Sequence, residues 1–315
     1  MTCLISIVVL GFRNFDNTTR PCLESLLPWI DDPEIEMFVV DNGSPDDSAQ
    51  KTHEWCARYP QVKYLISDHN RGYGGGMNWG AAHTHGKWLL LVNNDTLFPA
   101  NTLDALKRVI REAPEDVAML GPVTNAAGNG QRLWKSGATF EEWLKIGAEL
   151  NQKPTHLLMP TYRCDFFTIA IRRDVWDQLG GLDLAFGLGY YEDFDFSLRV
   201  TKAGYRQMIA EDVFILHIGS ATFRGNKAVR VLMKSNKKLL ASKHKYVYFE
   251  HAREGNLSIL KMYAELKLAG RLSHDMQLRV DLRHAALDGD VPKSIVKRWW
   301  WRKKIASIKH IFEFS

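Results

Sequence analysis

The sequence predicts an α/β protein: a mostly parallel sheet flanked by helices, followed by a basic helical C-terminal extension. Three observations predict it. The first 125 residues alternate short β-branched apolar runs with longer stretches of polar and apolar periodicity, the pattern of parallel strands joined by covering helices. Several of the strand-like runs end in loops rich in Asn, Asp and Gly. Charge is also segregated: residues 1–225 hold 21 Lys/Arg against 28 Asp/Glu and residues 226–315 hold 20 against 8, so a net −7 is followed by a net +12.

In chain order, strands are predicted over 5–10, 37–40, 63–67 and 88–92, and helices over 18–27, 48–59, 75–84 and 101–112. Beyond residue 120 come a Gly/Asn-rich loop at 124–130, a helix near 140–149 and an apolar strand over 165–171. A helix then starts near Asp174 and ends at Gly180-Gly181. A further helix covers 194–202 and stops at Gly204, followed by a strand over 207–210 and a short apolar run over 213–216. From 226 onward the pattern is helical and basic. No repeat or low-complexity linker separates the parts, so the division is a sheet domain over 1–225 and a tail over 226–315 that packs on it.

The bulk properties narrow the class. With 315 residues and 45% hydrophobic content the chain can build a sizeable core, and its overall charge of +5 gives only mild attraction to anions. Cys3, Cys22, Cys56 and Cys164 lie in or beside apolar segments without a CxxC pair, which reads as free thiols in a reducing, cytoplasmic compartment. Residues 1–10 lack a basic leader and a small-residue cleavage site, and no later apolar run reaches about 18 residues, so neither a signal peptide nor a transmembrane helix is expected.

Ligands of open α/β sheets bind at the loops that follow the C-terminal ends of strands. Three such loops stand out: Asn42-Gly-Ser-Pro-Asp-Asp, Arg71-Gly-Tyr-Gly-Gly-Gly and Asn94-Asp-Thr-Leu-Phe-Pro. In Asn93-Asn94-Asp95 an apolar strand holds Asp95 at a rigid end, where a hard oxygen ligand suits Mg²⁺ or Mn²⁺. An ordinary Asn/Asp turn is the plain alternative. In Glu192-Asp193-Phe194-Asp195, Asp193 or Glu192 can act as a general base; N-terminal helix capping is the alternative, and it suits Asp195. His217 ends an apolar run and can offer a neutral nitrogen to a metal, or be an ordinary satisfied histidine. The loop around Arg71 opens a helix, so its N–H groups can face an anion, or it can be a flexible turn. It is neither GxGxxG nor a Walker loop, which argues against a dinucleotide oxidoreductase.

Taken in order, six segments resemble glycosyltransferase family 2. They are Ser6-Ile-Val-Val-Leu-Gly-Phe-Arg-Asn, Val39-Val-Asp-Asn-Gly-Ser, Asn70-Arg-Gly-Tyr-Gly-Gly-Gly-Met-Asn-Trp-Gly, Leu91-Val-Asn-Asn-Asp-Thr, Gly180-Gly-Leu-Asp and Tyr191-Glu-Asp-Phe-Asp-Phe-Ser-Leu-Arg. The resemblance spans about residues 4–225. It implies a GT-A fold and sugar transfer from a nucleotide-diphosphate donor with inversion. It implies that Gly11 and Phe12 line the base, that Asp41 holds the base edge, and that Asn70, Gly72 and Asn78 shape the donor pocket. Asn93, Asn94 and Asp95 match the family's DxD, with Asp95 on a Mg²⁺ or Mn²⁺ ion and Asn93 nearer the ribose. Asp193 matches the catalytic base and His217 a histidine that some members add to the metal.

The chain departs from that pattern at three places. Asn93 replaces the first DxD carboxylate, Arg13 stands where Asn is frequent, and Phe166-Phe167 replace small residues beside the acceptor. Asp165, with Glu192, is a candidate acceptor contact, and a strand-edge carboxylate is an equal reading of Asp165. The resemblance to bacterial rhamnosyltransferases implies a dTDP-deoxysugar donor such as dTDP-rhamnose, with a UDP-hexose next. The expected acceptor is a glycan hydroxyl in surface polysaccharide synthesis, and it is the basic tail that would bring the enzyme to a lipid-linked one. A catalytically impaired scaffold of the same fold and a nucleotidyltransferase are the alternatives.

The segment Lys293-Ser-Ile-Val-Lys-Arg-Trp-Trp-Trp-Arg-Lys-Lys interleaves Trp and Ile with cations, as an interfacial helix on an anionic membrane does. The expected location is the inner face of the membrane, peripherally bound; packing of the Trp face on the domain is the alternative. No nucleic-acid motif accompanies the charge, so nucleic acid is not an expected partner.

Overall fold

The computed structural model describes residues 3–219 and 227–313. Its central feature is an eight-stranded sheet. The strands are β1 (Ile5–Gly11), β2 (Ile35–Asp41), β3 (Val62–Ile66), β4 (Trp88–Asn93), β6 (Val117–Val123), β7 (Leu158–Pro160), β8 (Thr168–Arg172) and β9 (Arg206–Phe214), in the order β3-β2-β1-β4-β8-β6-β9-β7. β3, β2, β1 and β4 run parallel, as the β-branched runs predict. Every position of β1 is buried, because helices cover both faces of the sheet. β8 is antiparallel to β4 and β6, β9 parallel to β6, and β7 closes the edge antiparallel to β9.

Helices α1 (Thr19–Leu26), α2 (Ser48–Cys56) and α4 (Thr102–Glu112) bury one face of the sheet with Leu23, Leu26, Trp55, Leu103 and Leu106. On the other face lie α3 (Gly72–Ala81), α6 (Arg173–Leu179) and α7 (Glu192–Lys202), with Met77, Trp176 and Phe196. α3 starts at Gly72, three residues before the predicted start, and its glycines explain why. A Cβ at Gly80 would stand 2.4 Å from Val8, and one at Gly76 2.5 Å from Leu10, so the bare helix face lies directly on β1. Gly72 itself has φ +71, and a Cβ there would meet the Gly187 carbonyl at 2.2 Å.

A two-stranded ladder, β5 (Thr96–Leu97) with β10 (Leu216–His217), sits beyond the end of β4 and pairs His217 with Thr96. It was not foreseen, and it is the element that carries His217 to the DxD-like turn.

α5 (Phe140–Gln152) begins with a capping box between Thr139 and Glu142 and packs Trp143 against Phe214. The extension supplies α8 (Lys227–Lys243), α9 (Ala252–Leu268), α10 (His274–Gly289) and α11 (Ile295–Glu313). Leu257, Leu260, Tyr263, Val280, Trp301, Ile305 and Ile308 share one apolar cluster with Val123, Ile209 and Phe214 of the sheet, so the tail does pack on the domain. The predicted boundary at 225/226 falls within residues 220–226, outside the described residues.

Two buried ion pairs fix this contact. Glu211 on β9 faces Arg283 and accepts a hydrogen bond from Tyr263 Oη at 2.8 Å, while Arg283 Nη1 donates to Asn256 Oδ1 at 2.6 Å and to the Gly130 carbonyl at 2.9 Å. Arg279 donates to the Leu150 and Glu211 carbonyls at 2.7 and 2.9 Å and lies 3.5 Å from Asp212. Removing one partner strands the other as an unpaired buried charge. Arg283→Ala is therefore expected to lower the unfolding free energy by about 3–5 kcal/mol in urea titrations; a loss below about 1 kcal/mol would mean the network relaxes or hydrates.

Candidate active site

The parallel strands end together. Gly11 lies opposite Asp41 and Leu10 opposite Asn93, so the loops after β1, β2 and β4 open on one edge, joined there by the start of α3. Asp41 is buried; its oxygens accept from Ser44 N at 2.9 Å and Ser44 Oγ at 2.6 Å, and Ser44 Oγ in turn accepts from Arg13 N at 2.9 Å. This chain of bonds fixes the turn carrying Phe12, in which Arg13 and Asn14 both adopt left-handed backbone (φ 61 and 53).

Asn70, Gly72 and Asn78 are tied into the loops themselves. Asn70 Oδ1 accepts from Gly72 N at 2.8 Å and Asn42 Nδ2 at 3.2 Å. Asn78 grips Leu182 from both sides, donating to its carbonyl and accepting from its N–H, each at 2.8 Å. Asn94 turns its amide toward α1, donating to Thr19 Oγ1 at 2.8 Å and Thr18 Oγ1 at 3.1 Å, so it braces the turn.

Asp95 and His217 do meet. His217 Nε2 lies 3.4 Å from Asp95 Oδ2, brought there by the β5–β10 ladder. Its Nδ1 lies 2.9 Å from the Ala126 carbonyl, which can only accept, so Nδ1 carries a proton and Nε2 is the nitrogen turned toward Asp95. Asn125 holds the residue in place: its Oδ1 accepts from His217 N at 2.9 Å and its Nδ2 donates to the His217 carbonyl at 3.0 Å. Burial works against a charged ring, yet the Asp95 carboxylate outweighs it and holds the His217 pKa above its ordinary value. Asp95 Oδ1 and Asn93 Oδ1 are buried without hydrogen-bond partners. Two orphaned oxygens beside an available imidazole nitrogen fit a divalent cation. Among the described residues no third His, Cys, Asp or Glu completes a cluster with them.

The second acidic cluster stands at the start of α7. Tyr190 and Tyr191 precede it in consecutive left-handed conformations (φ 72 and 75), a costly geometry for non-glycine residues. Glu192 is buried with Oε2 unpartnered. Burial, then the neighbouring Asp193, raises its pKa well above the carboxylate range. Asp193 is raised too, chiefly by burial and next by Asp165, with Arg163 opposing. Asp195 serves the fold: fully buried, it pairs with Arg199 at 2.7 Å, Lys243 at 2.6 Å and His244 at 2.8 Å, and these partners hold its pKa low despite burial.

Four residues that sequence reasoning passed over complete the site. Tyr73 of α3 donates to the Phe166 carbonyl at 2.8 Å and lies half-buried in the field of Glu192, Asp193 and Asp95, which connects the two acidic clusters. Arg163 pairs with Asp165 at 2.7 Å and lies 5.3 Å from the Phe194 ring. Asn125 orients His217. Asn236 of α8, itself buried, donates to the carbonyls of Phe186 and Gly189 at 2.7 and 2.8 Å and so fixes the loop leading into Tyr190. Arg163 had a signal, an arginine two residues from a candidate carboxylate; Asn236 in a basic helix had none.

Comparisons with known proteins identify the family and the fold. The profile of glycosyl transferase family 2 matches residues 6–179, more than half of the chain. The chain belongs to that family. An N-acetylglucosaminyl-diphospho-decaprenol L-rhamnosyltransferase of Mycobacterium tuberculosis is 24% identical over 210 residues, covering 58% of this chain and 66% of the relative. The fold resembles a mannosyltransferase from Pyrobaculum calidifontis in complex with GDP-Man and Mn²⁺ (TM-score 0.55, 17% identity, 100% of this chain and 89% of that one). It also resembles GalNAc-T7 with UDP, GalNAc and Mn²⁺ (TM-score 0.58, 14% identity, 97% and 57%). The architecture is therefore of the GT-A type.

Proposed function

We propose that this chain inverts the anomeric centre of a nucleotide-diphosphate sugar, of dTDP-rhamnose or UDP-hexose type, as it transfers the sugar to a hydroxyl of a lipid-linked glycan in bacterial surface polysaccharide synthesis. The observation that carries the reading is the adjacent Glu192–Asp193 pair, Glu192 buried and Asp193 half-buried, with pKa values raised by desolvation, sharing the field around Tyr73 with Asp95 at the donor end. The name of the mycobacterial relative supports a rhamnosyl donor and a polyprenyl-diphosphate acceptor.

In this reading the base stacks by Phe12 with Asp41 at its edge, and Asn93 lies toward the ribose. Asp95 and His217 hold Mg²⁺ or Mn²⁺, which when bound neutralises charge on the leaving diphosphate. Asp193 takes the proton from the attacking acceptor hydroxyl, and its raised pKa makes it a stronger base than an ordinary carboxylate. Glu192 and Asp165 orient the acceptor through hydrogen bonds. The bond from the anomeric carbon to the diphosphate oxygen breaks as the new glycosidic bond forms on the opposite face. A panel of nucleotide sugars assayed for released nucleoside diphosphate, beside nucleoside triphosphates with sugar 1-phosphates assayed for pyrophosphate, tests the reaction class: nucleoside diphosphate from dTDP-rhamnose or a UDP-hexose supports it, pyrophosphate from the triphosphates marks a nucleotidyltransferase, and no release in either arm marks an impaired scaffold.

The lipid-linked acceptor places the enzyme at the inner face of the membrane, and α11 supports that placement. Its Trp301, Ile305 and Ile308 face the core, whereas Trp299 and Trp300 stand exposed with Ile295 and Val296 among cations. Among the described residues no helix is long and apolar enough to cross a membrane. Full-length protein is expected to float with vesicles containing anionic lipid, and Trp299→Ser/Trp300→Ser to lose at least half of that fraction while keeping its Tm; equal flotation of the variant overturns the assignment.

A further inference from the structure

The two stretches of chain that carry Asp193 and Asp165 both end against one segment of the extension. Between α8 and α9 the residues Lys245-Tyr-Val-Tyr-Phe-Glu250 run without helix or strand. Phe249 meets Tyr191 and Phe194 edge-on, at 6.2 and 5.1 Å between ring centres, and these residues flank Glu192-Asp193. Tyr248 meets Tyr162 edge-on at 5.0 Å, and Tyr162 immediately precedes Arg163 and its partner Asp165. The rings are nevertheless open to solvent: Tyr246 is 79% exposed, Tyr162 62%, Tyr248 53% and Phe249 42%. A chain that buries Phe186, Phe194 and Phe196 almost completely leaves this group of aromatics uncovered beside its catalytic carboxylates.

The surroundings indicate what covers them. Lys237 Nζ lies 4.5 Å from the Phe249 ring, Arg163 lies over Phe194, and Glu250 is half-buried at the end of the segment. Flat rings bordered by charged hydrogen-bonding groups match a pyranose, which presents an apolar C–H face to a ring and hydroxyls around its edge. A lipid surface would favour cations without Glu250 in the rim.

We propose that Tyr162, Tyr248 and Phe249, with Tyr191 and Arg163, form a saccharide subsite that holds the acceptor sugar next to the one receiving the transfer. The C-terminal extension thereby reads the acceptor chain, and the subsite selects for an acceptor of at least two sugars. This inference rests on the saccharide acceptor proposed above.

The test is saturation-transfer NMR on the full chain with Mg²⁺ and dTDP or UDP, against a panel of disaccharides and trisaccharides that includes N-acetylglucosamine-containing members. At least one oligosaccharide is expected to bind through its ring C–H protons. Tyr162→Ala/Tyr248→Ala is expected to weaken that binding at least about tenfold, as stacking on two rings implies, and Tyr248→Trp to retain it. Both tyrosines are more than half exposed, so Tm is expected to be unchanged in each variant. No binding from the panel, unchanged binding in the double variant, or a double variant that loses vesicle flotation instead of saccharide binding each overturns the subsite. Release of nucleoside diphosphate from donor without acceptor, measured in parallel, separates the two readings. Ring-dependent binding without donor release removes the proposed transfer reaction and keeps the subsite; donor release without ring-dependent binding does the reverse.

Discussion

Asp193→Asn is expected to lower transfer by about 10²–10⁴-fold, the range a positioned general base contributes, while affinity for the nucleoside diphosphate stays within a factor of two. The same substitution is expected to leave Tm equal or raise it by a few degrees at neutral pH. Burial and Asp165 lift the Asp193 pKa in the folded chain above its unfolded value. A carboxyl lifted in this way contributes stability below its unfolded pKa and loses it as pH rises through the folded one. At neutral pH the ionised group is therefore unfavourable to folding, and an amide of the same shape removes the charge. The gain in Tm should shrink as pH falls toward 4, where the wild-type carboxyl is itself protonated. The reaction reads the same group in the opposite sense: wild-type kcat/KM should fall on the acid side with a midpoint above the ordinary aspartate range. Normal turnover in the variant removes Asp193 as the base, and a fall in Tm would show that its carboxylate supports the fold instead.

The parallel half of the sheet was legible because its strands are short runs rich in β-branched and apolar residues, bounded locally by Asn, Asp, Gly or Pro. β6 was not, because Gly121 and Pro122 interrupt it; the structure accommodates them with a register shift between Pro122 and Val123 against β9. β9 read as two runs, 207–210 and 213–216, because Glu211 and Asp212 fall in the middle. Both carboxylates are buried there, and what makes this tolerable comes from elsewhere in the chain: Arg283 and Tyr263 for Glu211, and the Thr155 N–H and hydroxyl, at 2.8 and 2.6 Å, for Asp212. The strand predicted over 165–171 begins only at Thr168, since Asp165 is drawn into the turn by Arg163 and by Gly128 N. The basic tail misled in part for the same reason. Arg279 and Arg283 counted toward its surface charge, yet both are interior. At the site, order along the chain identified Asp41, Asp95, Asp193 and His217 as candidates, whereas Tyr73, Asn125 and Asn236 work through contacts with remote segments and carry no local signature.

Asp95→Ala is expected to abolish the part of nucleotide affinity that depends on metal. In calorimetric titrations of the full chain with UDP or dTDP, Mn²⁺ should tighten wild-type binding by at least about tenfold, or 1.4 kcal/mol, and Asp95→Ala should bind equally with and without it. The argument rests on the orphaned oxygens. Asp95 Oδ1 and Asn93 Oδ1 are both desolvated and unpartnered, a state that costs about 1–3 kcal/mol for each neutral group and more for a charged one unless a ligand arrives. In the proposed site Asn93 would supply an oxygen without a charge, so an ion there would be held by fewer carboxylates than a full DxD provides and would depend more on His217 Nε2. Asn93→Asp separates this account from a purely structural one. Restoring the second carboxylate adds a buried charge beside Asp95, so metal-free protein should lose Tm; with Mn²⁺ and nucleotide the loss should be recovered and the metal-dependent increment should exceed that of wild type. Equal affinity with and without Mn²⁺ in the wild type would count against Asp95 and His217 as ligands, and a loss of Tm in Asn93→Asp that metal and nucleotide fail to reverse would identify Asn93 as a residue chosen for the turn.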